Sequence, residues 1–381
     1  MKKLLIIPIA AAVCLSSCSV PVTNESSFPD SNIQDTSGLS PVPDQYEPIN
    51  YIRQTGLWIP YMEFEELMYG RPEDEYRRLI RTRFTDALSK GVNTIYFHVH
   101  PNGDAYYDSQ LFPKGVFSDG SYDPLSIAVD EAHKLGLSIH AWLNPLRLQT
   151  VQQLSALPDS YITKQWADDA EKELVREVNG RYYLNPAYSE VSDLISAAAD
   201  EILDNYNVDG IHIDDYFYPT TDPEFDRTAF EASGASDLSQ WRRDNVSRFV
   251  KKLYDTVKSH GDGFRFGISP QGNIDTDYNT QYADVRLWGG TKGYADYIVP
   301  QIYYGFQNEY LPFESTLRQW EELVGKNGVS LIIGLAPYKQ DKYDQWAGIL
   351  GENEWIDDPD VIKKQIELVK SSLADGYALY E

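Results

Sequence analysis

Cysteine is almost missing from this chain. Its 381 residues include two, Cys14 and Cys18. Both lie at the extreme N-terminus, so the rest of the chain has no disulfide, no thiol nucleophile and no thiolate metal ligand. Positive charge is also scarce, with 33 Lys and Arg against 58 Asp and Glu and a formal charge of −25. Such a field repels nucleic acid and anionic lipid, so neither is expected as a partner. The apolar run from Leu4 to Leu15 is too short for a secure membrane span. No Gly-rich phosphate loop and no Gly-x-Ser-x-Gly elbow occurs, which argues against a nucleotide fold and a serine hydrolase.

What is present at the N-terminus has the order of an export signal. Lys2 and Lys3 precede the apolar run, and Leu15-Ser16-Ser17-Cys18 follows it. Small residues before a Cys resemble a bacterial lipobox, so residues 1–18 are expected to be a lipoprotein signal with Cys18 as the lipid-bearing residue. An ordinary cleaved signal with an incidental Cys is the alternative. The expected location is extracytoplasmic, lipid-anchored to the bacterial cell membrane or outer membrane. Residues 19–50 are rich in Ser, Pro, Asp and Asn without sustained periodicity and read as a flexible tether.

From residue 51 to 381, short apolar strands alternate with amphipathic helical stretches, the pattern of βα units around a parallel sheet. Eight strands are expected: Gly56 to Ile59, Asn93 to Val99, Leu137 to Leu143, the stretch from Val208 that Pro219 stops, Phe264 to Ser269, Tyr297 to Tyr303, Val329 to Leu335 and Tyr377 to Tyr380. That count points to an α/β fold, a (β/α)8 TIM barrel. Helices are expected over 72–89, 123–135, 189–205, 238–259, 312–326 and 359–373, while the link between the fifth and sixth strands offers only a short candidate near Asp284 to Trp288.

Side-chain alternation then sorts the strands into two faces. Leu57, Ile95, Phe97, Ile139, Ile211, Ile213, Phe266, Ile268 and Ile298 share the face that packs under helices. The opposite face carries Trp58, His98, His100, Trp142, Asn144, His212, Asp214, Ser269, Gln271, Gln301 and Tyr303 toward the C-terminal mouth, where barrel active sites sit. Two long loops are expected to wall a cleft there. One runs from His100-Pro-Asn102-Gly-Asp104 through Tyr122, and the other contains Asn179-Gly180, a tight hairpin signal.

The stretch Val208-Asp-Gly-Ile-His-Ile-Asp-Asp-Tyr-Phe-Tyr-Pro219 carries the chemistry. Hydrolysis of a glycosidic bond needs a protonated carboxyl for the leaving oxygen and a second group for the developing cation. Asp214 has inward parity, and Asp215 can turn into the cleft where the strand ends. Two adjacent acids push their proton affinities apart, which suits a division into acid and base. Asp104 is the next candidate, followed by Asp275, Asp277 and Asp284, and Glu381 is a possible rim residue. The bland reading makes Asp215 a helix cap and Asp214 an ion-pair partner. Tyr216, Tyr218 and the other rim groups, Asn102 included, offer stacking and hydrogen bonds to sugar, although many of the 28 Tyr and 8 Trp must be core. His98, His100 and His212 with Asp214 are ligand types that suit zinc or iron, but no short His spacing supports a site. No metal and no cofactor is expected.

Taken together, 92–106, His140-Ala-Trp-Leu-Asn-Pro145, Tyr182-Tyr-Leu-Asn-Pro186, 209–219, Gly267-Ile-Ser-Pro270 and Pro300-Gln-Ile-Tyr303 resemble the bacterial glycosyl hydrolase-like 10 family, from about Thr55 to the chain end. The resemblance implies a (β/α)8 glycoside hydrolase, exported or lipid-anchored, linked to cell-wall glycans or other complex polysaccharides. It implies roles for Asp104, Asn144, Asp214, Asp215 and Gln301 by position, and His100 stands where an Arg is expected. The fourth-strand motif is also similar to that of family 18 chitinases, but His212 and Tyr216 replace its Asp and acidic Glu, so that chemistry does not carry over. The expected function is hydrolysis of a polysaccharide, peptidoglycan strands or a related amino-sugar polymer. The alternative is a surface glycan-binding lipoprotein without turnover. The oligomeric state is left open.

Overall fold

A computed structural model describes residues 46–169, 171–325 and 327–381. The leader, Cys18 and the tether as far as residue 45 lie outside the described residues. No described helix is long and apolar enough to cross a membrane.

Eight parallel strands close into a barrel in the order β1-β8-β7-β6-β5-β4-β3-β2. They are β1 (Gln54–Ile59), β2 (Thr94–His100), β3 (Ser138–Leu143), β4 (Gly210–Ile213), β5 (Arg265–Ile268), β6 (Tyr297–Ile298), β7 (Ser330–Leu335) and β8 (Gly376–Leu379). The expected α/β class and TIM barrel are therefore what the chain forms. β6 stops after two residues because Pro300 cannot donate to a ladder, and Gln301 continues only as isolated bridges to Gln271 and Gly334.

Helices Glu73–Ser89, Pro124–Lys134, Ser189–Asn205, Leu238–Ser259, Phe313–Val324 and Val361–Ser371 cover the outer face. Their starts follow ordinary capping chemistry. Asp123 accepts from the Ser126 amide ahead of Pro124, and Asp237 does the same for Gln240. Two short helices, Ile274–Thr280 and Val285–Gly290, fill the link between β5 and β6.

Alternation holds around the barrel. Leu57, Ile95, Phe97, Ile139, Ile211, Ile213, Phe266, Ile268 and Ile298 belong to the large core between strands and helices. A second cluster of Trp58, Tyr96, Trp142, Tyr297, Val299, Ile332 and Ala378 fills the barrel interior. One inward rung can be followed across five strands through His98, Trp142, His212, Gly267 and Tyr297. Gly267 has no side chain because the Tyr297 ring occupies its place, and a Cβ there would lie 1.9 Å from Cζ.

The interior is hydrogen-bonded as well as packed. Trp58 Nε1 donates to His212 Nε2 at 3.1 Å, and an indole can only donate. His212 must then donate from Nδ1 to the Tyr297 hydroxyl at 3.1 Å, which donates to His140 Nδ1 at 2.7 Å. His140 Nε2 donates to Asn50 Oδ1 at 3.0 Å, and Asn50 Nδ2 donates to the carbonyls of Asp209 and Gly263 at the barrel floor.

That last link changes the expected boundary of the tether. Residues 46–50 are bound to the floor, where Asp209 accepts from the Tyr46 hydroxyl and the amides of Ile49 and Ile139. The compact unit therefore begins at Tyr46 rather than residue 51.

Candidate active site

β4 ends at Ile213 and delivers Asp214 to the mouth with the same inward parity as His212. There it lines a cleft of about 320 Å3 with Trp58, Tyr61, Met62, His98, Trp142, Asn144, Arg147, Asp215, Tyr216, Gln301, Tyr303 and Tyr380.

Asp214 is 3% exposed. Its Oδ2 accepts from Trp142 Nε1 at 3.2 Å, while Oδ1 is buried with no partner. Burial, and then the neighbouring charge of Asp215, push its proton affinity well above the usual carboxyl range, with the indole N–H pulling the other way. Asp215 is also raised by burial, but the amides of Gln301, Gln271 and Gln281 favour its anion. Gln301 Nε2 donates to its Oδ1 at 3.3 Å and to the Ser269 carbonyl at 3.1 Å. Each acid thus takes one side-chain donor, Trp142 for Asp214 and Gln301 for Asp215, and proton affinity is raised at both, well above the carboxyl range at Asp214.

Trp142 is fixed from a second side. Its ring stacks on His98 at 3.6 Å and 9°, and His98 Nε2 donates to Asn144 Oδ1 at 3.2 Å. Asn144 in turn donates to the Pro101 carbonyl. Burial keeps the His98 imidazole neutral by lowering its pKa well below the ordinary value. Across the cleft, Tyr303 stacks on Tyr380 with centroids 6.2 Å apart and Tyr216 is 39% exposed, so flat faces surround the carboxyls.

Trp58, His98, Trp142, Asn144, Asp214, Asp215, Tyr216, Gln301 and Tyr303 therefore converge as expected from alternation. Gln271 is not on the cleft wall; its backbone amide donates to Asp277 Oδ1, and its side chain favours the Asp215 anion from outside the cleft. His212 has the right parity but sits one layer too deep, beneath Trp58. His100 is turned out of the barrel. The β2–β3 register shifts between His98 and His100, and the His100 ring packs on Phe112 at 4.3 Å with neither nitrogen bonded.

Tyr218 is 4% exposed, and its ring faces Phe225, Tyr282 and the Arg242 guanidinium away from the cleft. Asp104 and Asn102 bond each other in the loop after β2, the Asn102 backbone amide donating to Asp104 Oδ1 at 2.9 Å. Neither reaches the cleft wall, and burial pushes Asp104 up to about 6. The loop after β2 packs down through Tyr106, Tyr107 and Phe112 instead of walling the cleft.

Of the remaining acids, Asp275 pairs with Arg286, Asp284 caps the helix Val285–Gly290, and Asp277 accepts from the Gln271 amide at 3.2 Å. Glu381 pairs with Arg83 and Lys90 outside the cleft. His98 and His212 have separate partners, His100 has none, and among the described residues no cluster of three or more His, Cys, Asp or Glu is placed to hold a metal ion.

Sequence reasoning missed Tyr61, Met62, Arg147 and Tyr380. Tyr380 was findable, because it shares the inward parity of Ala378. Arg147 opens an inserted antiparallel sheet of Arg147–Thr150, Val175–Val178 and Arg181–Leu184, and nothing in its local pattern aims it at the cleft. The turn in that sheet is the expected one, with Asn179 and Gly180 at φ 52° and 81°.

The comparisons with known proteins agree with this geometry. The sequence model described as "Glycosyl hydrolase-like 10" matches residues 56–347. The chain is 31% identical over 310 residues to glycosyl hydrolase DigH of Escherichia coli K12, covering 73% of this chain and 69% of that one. It is 30% identical over 335 residues to glycosyl hydrolase YngK of Bacillus subtilis, covering 79% of this chain and 62% of the relative. Among solved structures, the PgaB (BpsB) glycoside hydrolase domain of Bordetella bronchiseptica superposes with a TM-score of 0.59 at 12% identity. That superposition covers 86% of this chain and 93% of the other, a likeness of fold. By its ordered motifs and its barrel, this chain belongs to the glycosyl hydrolase-like 10 family.

Proposed function

We propose that the protein is a glycoside hydrolase that cleaves O-glycosyl bonds in a polysaccharide, peptidoglycan glycan strands or a related amino-sugar polymer. The observation that carries this reading is Asp214, a buried carboxyl at the mouth whose Oδ1 has no protein partner. In this mechanism the protonated Asp214 gives its proton to the glycosidic oxygen as the bond to the anomeric carbon breaks. The Asp215 anion, held by Gln301, stabilises the oxocarbenium centre or takes the proton of the attacking water. Trp58, Trp142, Tyr216, Tyr303 and Tyr380 offer faces and edges to the sugar rings.

The test is release of reducing ends from purified glycan strands. Asp214→Asn keeps shape but holds no transferable proton, and turnover should fall by at least about a thousandfold with binding retained. Equal release by both proteins would remove the enzymatic reading. Binding without release by the wild type would instead favour a glycan-binding role.

Export and lipid attachment through Cys18 belong to the same proposal, supported by the Lys2-Lys3 start, the apolar run and the Leu-Ser-Ser-Cys sequence. Radiolabelled palmitate should enter the wild type and not Cys18→Ala. Label in both proteins would refute the anchor.

A further inference from the structure

Arg147 is a cation at the cleft that no carboxylate bridges. It lines the wall with Asp214 and Tyr216, its charge acts on the Asp214 carboxyl from a distance, and it takes part in no salt bridge and no side-chain hydrogen bond among the described residues. Its Nε is buried and unpartnered, and its guanidinium lies 4.7 Å over the Tyr216 ring. Arg147 and Arg181 stand on neighbouring strands of the inserted sheet, where Arg147 pairs with Tyr183 and Thr150 with Arg181. Arg181 is likewise spent on neutral acceptors, donating to Asn102 Oδ1 at 3.0 Å and to the Leu148 carbonyl at 2.5 Å. In a chain of charge −25, Arg147 on the cleft wall and Arg181 on the neighbouring strand are two guanidinium groups that no carboxylate bridges.

Such a pair has a cost unless something offsets it. A half-buried guanidinium is a planar fork of donors that matches a carboxylate, and leaving one fork edge unbonded forgoes a charge-assisted interaction. Cation–π contact with Tyr216 orients the group but leaves its in-plane N–H donors free. Resting on the glycan-hydrolase reading above, we propose that Arg147 is a specificity-determining residue that seats a carboxylate carried by a sugar of the substrate. Arg181 adds to the positive potential from behind. The preferred polymer is then an acidic glycan, and a neutral one enters the same cleft with less affinity.

The experiment separates charge recognition from support of the fold. Asp214→Asn is used as a background so that binding is read without turnover. Two probes are compared by calorimetry: glycan strands with free sugar carboxylates, and the same strands after carbodiimide and borohydride reduction of those carboxyls to alcohols. The parent should bind the acidic strand about tenfold or more tightly than the reduced one. Adding Arg147→Gln should abolish that preference, leaving both strands at the weaker level, and Arg147→Lys should restore part of it. If Arg147→Gln weakens both strands equally and keeps the preference, Arg147 only supports Tyr216 and the inference falls. If the parent binds both strands alike, the inference also falls while the hydrolase reading stands. If the parent binds neither strand, the hydrolase reading fails on this substrate class and takes the inference with it.

Discussion

Trp142 holds Asp214 by one oxygen and leaves the other free. The indole Nε1 donates to Oδ2 at 3.2 Å, and the ring is clamped from behind by His98. The donated hydrogen bond favours the anion, against the burial that favours the acid. Trp142→Phe retains the stack and removes the donor, so the Asp214 proton should be held more tightly. If Asp214 is the proton donor, the alkaline limb of the pH–rate profile moves up by about one unit, and kcat falls about tenfold as the carboxyl loses its orientation. An alkaline limb that stays in place would show that another group limits the rate there.

Tyr297 accepts from His212 and donates to His140 inside the barrel, whereas the buried Tyr96 hydroxyl donates only to Gln54 Oε1 at 3.1 Å. Tyr297→Phe leaves two buried imidazole nitrogens unpaired, with an expected cost of about 2–4 kcal/mol in denaturant unfolding. Tyr96→Phe should cost about 1 kcal/mol. Equal losses would mean that the interior chain adds nothing beyond ordinary hydroxyl pairing.

Asp104 offers a test by pH. Its folded-state pKa is raised to about 6 by burial, so the folded chain binds this proton more tightly than the unfolded chain does. The stabilising contribution is full below about pH 4 and is lost as pH rises through 6, a swing of up to about 3 kcal/mol. Asp104→Asn cannot titrate and keeps an acceptor for the Asn102 amide. Its stability curve should run parallel to the wild type below pH 4 and pull above it between pH 4 and pH 7. Coincident curves across that range would place the proton elsewhere.

Gly267 and Tyr297 exclude each other's growth, since a Cβ on Gly267 would meet the ring at 1.9–2.4 Å. Gly267→Ala should destabilise by at least about 3 kcal/mol through overpacking. Replacing the ring as well, in Gly267→Ala with Tyr297→Leu, should cost less than the sum of the two single changes. Additive losses would show that the strand relaxes without needing the ring to move.

The order of strands and helices was readable because alternation and helical periodicity are local, and each survives in the folded chain. Asp214, Trp142 and Asn144 reach the mouth because β3 and β4 keep their parity to the end, and Gln301 because isolated bridges to Gln271 and Gly334 hold it in place past Pro300. His100 was misplaced by one bulge, which reverses parity without leaving a compositional trace. Depth was also invisible, since alternation separates inside from outside but not His212 below the mouth from Asp214 at it. The loop after β2 looked polar at its tip, yet Tyr106, Tyr107 and Phe112 draw it down onto the outer core. Arg147 was missed because an inserted sheet is aimed by tertiary packing, with no period of its own.

The bonded line from Trp58 to the barrel floor has a direction that cannot be turned round. The indole at its head only gives a hydrogen, and the carbonyl oxygens of Asp209 and Gly263 at its foot only take one. Every imidazole nitrogen between them is already committed, one lone pair of each ring to an incoming hydrogen and the other nitrogen to an outgoing one. A proton arriving from acid solution therefore finds no vacant seat on His140 or His212 unless a bond is first broken. Whatever protons the acids at the mouth gain or lose, the rings directly below them stay electrically silent.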